Sequence, residues 1–168
     1  MAHVVESAAR VRGASPAVRI VRVTAPDGTA LRLLEEYYAA VDCVLRDSPA
    51  AIREILDEPG AGMWLAWLGE QAVGCVVVRR LDSIPGAAEC KRLYVKPAAR
   101  GHGIADALMD TLEAHARGQG FKWIYLDTYD DLKPAIALYG KRGYKACERY
   151  NNNPQATCFF RKSIHNQS

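Results

Sequence analysis

The sequence predicts a single-domain α/β protein built on a mixed central sheet, and three observations carry that expectation. Short runs rich in Val, Ile, Leu and Trp are interleaved with longer segments of helical periodicity. Residues 89–128 read strand, loop, helix, strand, a βαβ unit whose two strands should run parallel. The length of 168 residues suits one domain at roughly 150 residues per domain, and no internal repeat or linker divides it.

The elements follow in order. The opening "MAHVVESAARVRGAS" lacks the continuous apolar core of a secretory signal, so residues 1–17 are expected to form a flexible leader before an ordered domain over 18–165. "VRIVRVT" (18–24) alternates apolar and polar residues as a strand does. Leu31, Leu34, Tyr38 and Val41 recur at helical spacing in a segment that runs to Asp47. Ser48 and Pro49 then stand as N-cap and first residue of a second helix. "GMWLAWL" and "QAVGCVVVRRL" are strands joined through Gly69-Glu70, and "ECKRLYVKP" (89–97) is a third. In the helix that follows, Ile104, Leu108, Leu112 and His115 trace one face, with Asp106, Asp110, Glu113 and Arg117 on the opposite one. "KWIYLDT", a helix over 131–142 ended by Gly143, and strands "YKACERY" and "ATCFFRKSI" complete the chain. The order is β-α-α-β-β-β-α-β-α-β-β, with helices on both faces of the sheet.

Composition narrows the classes. No apolar run approaches the ~18 residues of a membrane-spanning helix, so no membrane partner is expected. Five cysteines, at 43, 75, 90, 147 and 158, form no C-x-x-C pair and read as reduced thiols of a cytoplasmic protein. Four histidines, at 3, 102, 115 and 165, show no metal-ligand spacing, and no metal is expected. A net charge of +3 is too small to argue for nucleic acid. Its distribution is uneven: residues 27–59 hold eight acidic and three basic side chains, residues 89–163 eight and thirteen. The second half would therefore welcome a polyanion.

Within that half, Arg100-Gly101-His102-Gly103-Ile104-Ala105 lies between a proline-led loop and a long amphipathic helix. Glycine-rich backbone at a helix start offers bare N–H groups to an anion. A Rossmann fingerprint would need glycine at Asp106, and a P-loop would need Gly-Lys-Ser/Thr; neither is present.

What remains is Arg100-x-x-Gly103-x-Ala105 after "LYVKP", followed by a helix, a strand and "AIALYGKRGY" (135–144). These two motifs, in order around a βαβ unit, resemble the GNAT superfamily of N-acetyltransferases from Glu89 to Tyr144. The resemblance implies transfer of an acetyl group from acetyl-CoA directly to an amine, small molecule or peptide, in a ternary complex. It also implies a cofactor site made by Leu93, Tyr94 and Val95 together with Arg100, Gly101, His102, Gly103, Ile104 and Ala105. The N–H groups near Leu93 to Val95 would meet the developing oxyanion if the strand bulges and splays from "YLDT". Tyr139 is the family-matched acid for the departing thiolate, and a phenol pKa near 10 keeps it protonated at neutral pH. Glu89 is the candidate base, with Asp127 or a water chain as competitors. Cys90 is read as a packed thiol rather than a nucleophile. Leu132 stands where many relatives have asparagine. "YNNNPQ" (150–155), through Tyr150 and Asn153, is expected to shape the acceptor mouth. A homodimer is common among such proteins. A noncatalytic CoA-binding sensor or interaction module on the same fold is the alternative.

Overall fold

The computed structural model describes residues 7–9 and 17–165. The leader expected over 1–17 lies largely outside the described residues; of it, Ser7–Ala9 form strand β1, paired antiparallel with β2 (Val18–Val23). Helices α1 (Gly28–Ala40) and α2 (Pro49–Asp57) follow, then strands β3 (Gly62–Leu68), β4 (Gln71–Arg80) and β5 (Ala87–Val95). A short 3-10 turn at Pro97–Ala99 leads to α3 (Ile104–Gly118), β6 (Trp123–Thr128), α4 (Lys133–Lys141), β7 (Lys145–Ala146) and β8 (Cys158–Ser163). The eight strands form one mixed sheet in the order β1-β2-β3-β4-β5-β6-β8-β7. The βαβ unit pairs β5 with β6 in parallel, the arrangement a helical crossover connection gives.

Both faces of the sheet are covered, which explains why β3 and β4 read as continuous apolar runs rather than alternating ones. Trp64, Ala66, Val76 and Val78 point to the α3 side, where they meet Ile104, Leu108 and Leu112. Met63, Leu65, Cys75 and Val77 point the other way, onto Leu33, Leu34 and Tyr38 of α1 and Ile52 of α2. Both helix starts follow their capping residues. Asp27 accepts from Ala30 N–H at 2.9 Å and Ser48 from Ala51 N–H at 3.1 Å.

Three expectations fail in instructive ways. Helix α1 stops at Ala40, not Asp47, because Asp42 turns left-handed (φ 50°) and Cys43 N–H bonds back to Tyr38 O at 2.8 Å, a Schellman-type closure. The strand expected over 144–150 is only Lys145–Ala146; beyond it the chain leaves the sheet and turns toward the cavity described below. Glu113 is not on a solvated helix face. Its side chain is 3% exposed and takes Lys162 Nζ at 2.6 Å, Arg142 Nη2 at 3.0 Å and the Tyr144 hydroxyl at 3.2 Å, tying α3 to the end of α4 and to β8. Arg142 also reaches Asp106 (2.9 Å) and Asp110 (2.7 Å).

Candidate active site

The site begins with a fault in the sheet. β5 and β6 pair only at Ala87, Ala88 and Glu89, and from Cys90 onward β5 has no partner on that side. On its other edge the register with β4 shifts between Cys75 and Val77, so that Arg92 and Leu93 together oppose Val76. Arg92, one of the two bulged residues, takes the left-handed conformation (φ 59°). The extra residue reverses the strand's faces: Cys90 packs on the α3 side, whereas Tyr94, four residues on, packs on the α1 side. Lys96 N–H donates to Val73 O at 2.7 Å. By alternation Tyr94 also addresses β4, and the N–H group of Val95 faces the gap that β6 vacates, with the bulged Leu93 beside it.

At the end of that gap lies the glycine loop. Gly101 (φ 82°) and Gly103 (φ 73°) are both left-handed, and nothing lies within 4 Å of where a Cβ would stand at either. Among the described residues the N–H groups of Gly101 through Ala105 meet no protein acceptor, while Gly103 O already accepts from Ala107 in the first turn of α3. His102 folds its ring back, Nδ1 lying 3.1 Å from Ala99 O and 3.0 Å from Arg100 O. Ile104 is buried in the core. These two therefore face the opening through their backbone, and Arg100, exposed and bonded through Nε to Val95 O at 3.3 Å, is the one charged side chain of the loop. An open floor, free donors and a helix dipole fit a diphosphate such as that of acetyl-CoA.

Beside the splayed strands is a cavity of about 370 Å³. Glu89, Arg92, Leu93, Asp127, Tyr139 and Asn151 all line it. Glu89 is 6% exposed, and the amide of Asn151 divides its two protons between Glu89 (3.2 Å) and Asp127 (2.6 Å). Asn153 adds a second, longer donor to Asp127 at 3.3 Å. Arg149 holds this loop by donating to the carbonyls of Asn153 and Ala156, and Gln155 bonds it to Val41 O at 2.8 Å. The hydroxyl of Tyr150 is buried close to Glu89 and Asp127; burial first, then the charges of those two carboxylates, push its pKa up.

Tyr139 is 6% exposed and its ring stacks edge-on with Tyr144 at 5.9 Å. Burial raises its pKa well above 10, with Cys90, Tyr37 and Asp127 adding to the shift. The Cys90 thiol turns away onto Met109 Sδ at 3.7 Å, and burial pushes its pKa up, so it is a packed group and not a nucleophile. Arg142, the notable cation near the end of α4, is committed to three carboxylates of α3.

The fold thus gathers Glu89, Leu93 and Tyr139 at one cavity, and Gly101, Gly103 and their neighbours at the adjoining loop. Arg92 escaped the sequence reading. Its side chain is 11% exposed, paired with Asp47 at 2.8 Å and laid over the rings of Tyr38 (5.0 Å) and Tyr37 (5.7 Å). Burial opposes its charge, but the Asp47 hydrogen bond and the two phenols outweigh it and hold the guanidinium protonated. The one trace in the sequence is a basic residue at a position that an unbroken strand would turn toward the same face as Cys90 and Tyr94. Among the described residues no group of three or more His, Cys, Asp or Glu could hold a metal, and no helix is long and apolar enough to cross a membrane.

A parallel pair split beside a bulge, with a glycine loop at the crossover helix, defines the acetyltransferase scaffold. Residues 26–144 match the Acetyltransferase (GNAT) family, and the chain belongs to it. An IAA acetyltransferase of Azospirillum brasilense is 32% identical over 135 residues, which cover 77% of this chain and 85% of that protein. An uncharacterized N-acetyltransferase of Schizosaccharomyces pombe is 40% identical over 83 residues, 49% of this chain and 50% of the other. N-acetyltransferase 8B of Rattus norvegicus is 32% identical over 111 residues, 64% and 50%. The chain spans about half the length of the last two. Among solved structures, a GNAT-family acetyltransferase of Staphylococcus aureus superimposes with a TM-score of 0.75 at 19% identity, covering 88% of this chain and 99% of that one. An acetyltransferase of Streptococcus agalactiae gives 0.74 at 20%, covering 88% and 98%. These last two are likenesses of fold.

Proposed function

We propose that the protein is an N-acetyltransferase that moves an acetyl group from acetyl-CoA to an amine held in the cavity, by direct attack within a ternary complex. The observation that carries this reading is the row of N–H groups at Gly101–Ala105 that meet no acceptor among the described residues, on the loop that follows the strand parting from β6. Those N–H groups, with Arg100 at their edge, would hold the diphosphate. Leu93 and Val95 would donate N–H bonds across the gap, Leu93 to the acyl oxygen as charge grows on it and Val95 to the cofactor's arm; Tyr94 secures the bulge that aims them. Acetyl-CoA supplies the activated thioester.

Glu89, with Asp127 as its partner through Asn151, would accept the proton of an alkylammonium so that the amine attacks as a neutral nucleophile. Tyr139 would donate its hydroxyl proton in a hydrogen bond to the departing sulfur. Its raised pKa makes it a donor at every physiological pH and a poor source of a fully transferred proton, so its work is charge stabilisation more than acid catalysis.

Hydrogen exchange and thiol release test this together. Saturating acetyl-CoA should slow exchange at residues 101–105, and free thiol should appear when an accepted amine is added. Exchange at that loop unaffected by the cofactor would overturn the reading. Protection without thiol release from any amine would favour a CoA sensor.

A further inference from the structure

We infer that the acceptor carries a carboxylate as well as an amine, and that Arg92 binds it through donors the protein itself leaves unused. This rests on the acetyl-transfer reading above and names its substrate class: amino acids and related small zwitterions.

Among the described residues the buried Nε of Arg92, a residue that lines this cavity, lacks a hydrogen-bond partner. Leaving a buried donor unmet is costly, so its retention at a cavity wall marks a place where a ligand supplies the acceptor. Arg92 has donors to spare. Asp47 takes Nη2, and Nη1 reaches Cys43 Sγ at 3.7 Å, a poor acceptor. The rings of Tyr37 and Tyr38 fix the plane of the guanidinium, and a fixed planar fork is the shape that matches a carboxylate. A left-handed backbone at a non-glycine residue is strain, and here it delivers this side chain to the cavity.

The opposite sign lies nearby. Glu89 and Asp127 line the same cavity and share one Asn151 amide; Lys91 Nζ stands 3.8 Å from Glu89 Oε1, too long for a hydrogen bond, so acceptor capacity remains there for an ammonium. Three residues of strand put the Cα atoms of Glu89 and Arg92 about 10 Å apart, a span that side chains and one small molecule can bridge. The wall between is apolar, with Val41, Leu45, Leu132 and Ala135. Leu45 is 61% exposed, so the lining continues to the surface. A free ammonium ligand would meet the Arg92 charge unfavourably; a zwitterion answers both ends.

The test is thiol release from acetyl-CoA with the twenty α-amino acids, β-alanine and 4-aminobutanoate, each beside its amide. At least one acid should exceed its amide at least tenfold in kcat/KM. Arg92→Gln should bring that ratio toward one, and Arg92→Lys, which keeps the charge but not the fork, should fall between. Equal proportional losses on acid and amide in both variants would make Arg92 a structural cation and overturn the inference. So would a wild-type protein that prefers amides, or that releases thiol from no acid on the panel. The loop protection by acetyl-CoA described above is independent of acceptor and shows whether the acetyl-transfer reading survives such a failure.

Discussion

Tyr139 is a hydroxyl on a buried ring, at the wall of the cavity, with a pKa raised by the same burial that holds the ring in place. Tyr139→Phe keeps the ring packing and removes only the donor. It should lower kcat by about a hundredfold, the lower end of what a positioned proton donor contributes, while the Kd for acetyl-CoA stays within about twofold. Parallel losses in kcat and cofactor affinity, read from steady-state rates and calorimetry, would reassign Tyr139 to packing. Its position was legible because the motif spacing in "AIALYGKRGY" places it, and Glu89 because it heads a strand in a βαβ unit. Arg92 was not. Its role depends on a bulge, and a bulge is settled by how β4 and β5 match across the sheet, which no local pattern in "ECKRLYV" states. Asn151 was concealed for a similar reason: its partners Glu89 and Asp127 lie 62 and 24 residues away.

Elements that obey local chemistry were read correctly. The cap at Ser48, the Gly69 hairpin and the parallel pairing of the βαβ unit all follow from signals within a few residues. Those set by distant contacts were misread, as with the early end of α1 and the short β7, whose continuing residues are drawn off by Gln155 and Arg149 contacts near the cavity. The start of α3 allows a clean separation of stability from binding. At Gly103 the backbone is left-handed but space is open, so Gly103→Val should cost about 1–2 kcal/mol in denaturant unfolding. The same side chain stands over the free N–H groups and should weaken acetyl-CoA at least tenfold by calorimetry. Affinity unchanged in a folded variant would mean the cofactor does not use this loop. Further along α3, Glu113→Ala strips Lys162 of its partner and leaves Arg142 with Asp106 and Asp110. A loss of about 3 kcal/mol is expected in the same assay, the lower end for breaking a buried pair; a neutral result would deny the network any part in stability.

For the molecule as a whole, buried ionisable groups bound the pH range of stability on both sides. Burial pushes Tyr37 and Cys75 up to about 12, from ordinary values of 10.0 and 9.0, and raises Tyr139, Tyr144 and Tyr150 as well. These groups stay protonated in the fold while the unfolded chain ionises, so the unfolded state binds fewer protons and stability falls as pH rises above about 9. On the acid side, burial lowers His115 from 6.5; there the unfolded chain takes up the proton first, and stability falls as pH drops through the value for a free histidine. Thermal melting followed from pH 5 to 11 should give a plateau near neutrality with both flanks descending, the alkaline one more steeply. A flat alkaline flank would contradict the burial of these phenols. The central seam has a consequence of its own. Strands β5 and β6 share three residue pairs, whereas the ladders on either side share six each. The sheet is two plates hinged along a short weld, so β6, β8 and α4 should open to solvent as one cooperative unit before the β2–β4 plate does, and a molecule lying across the seam would act as the clasp.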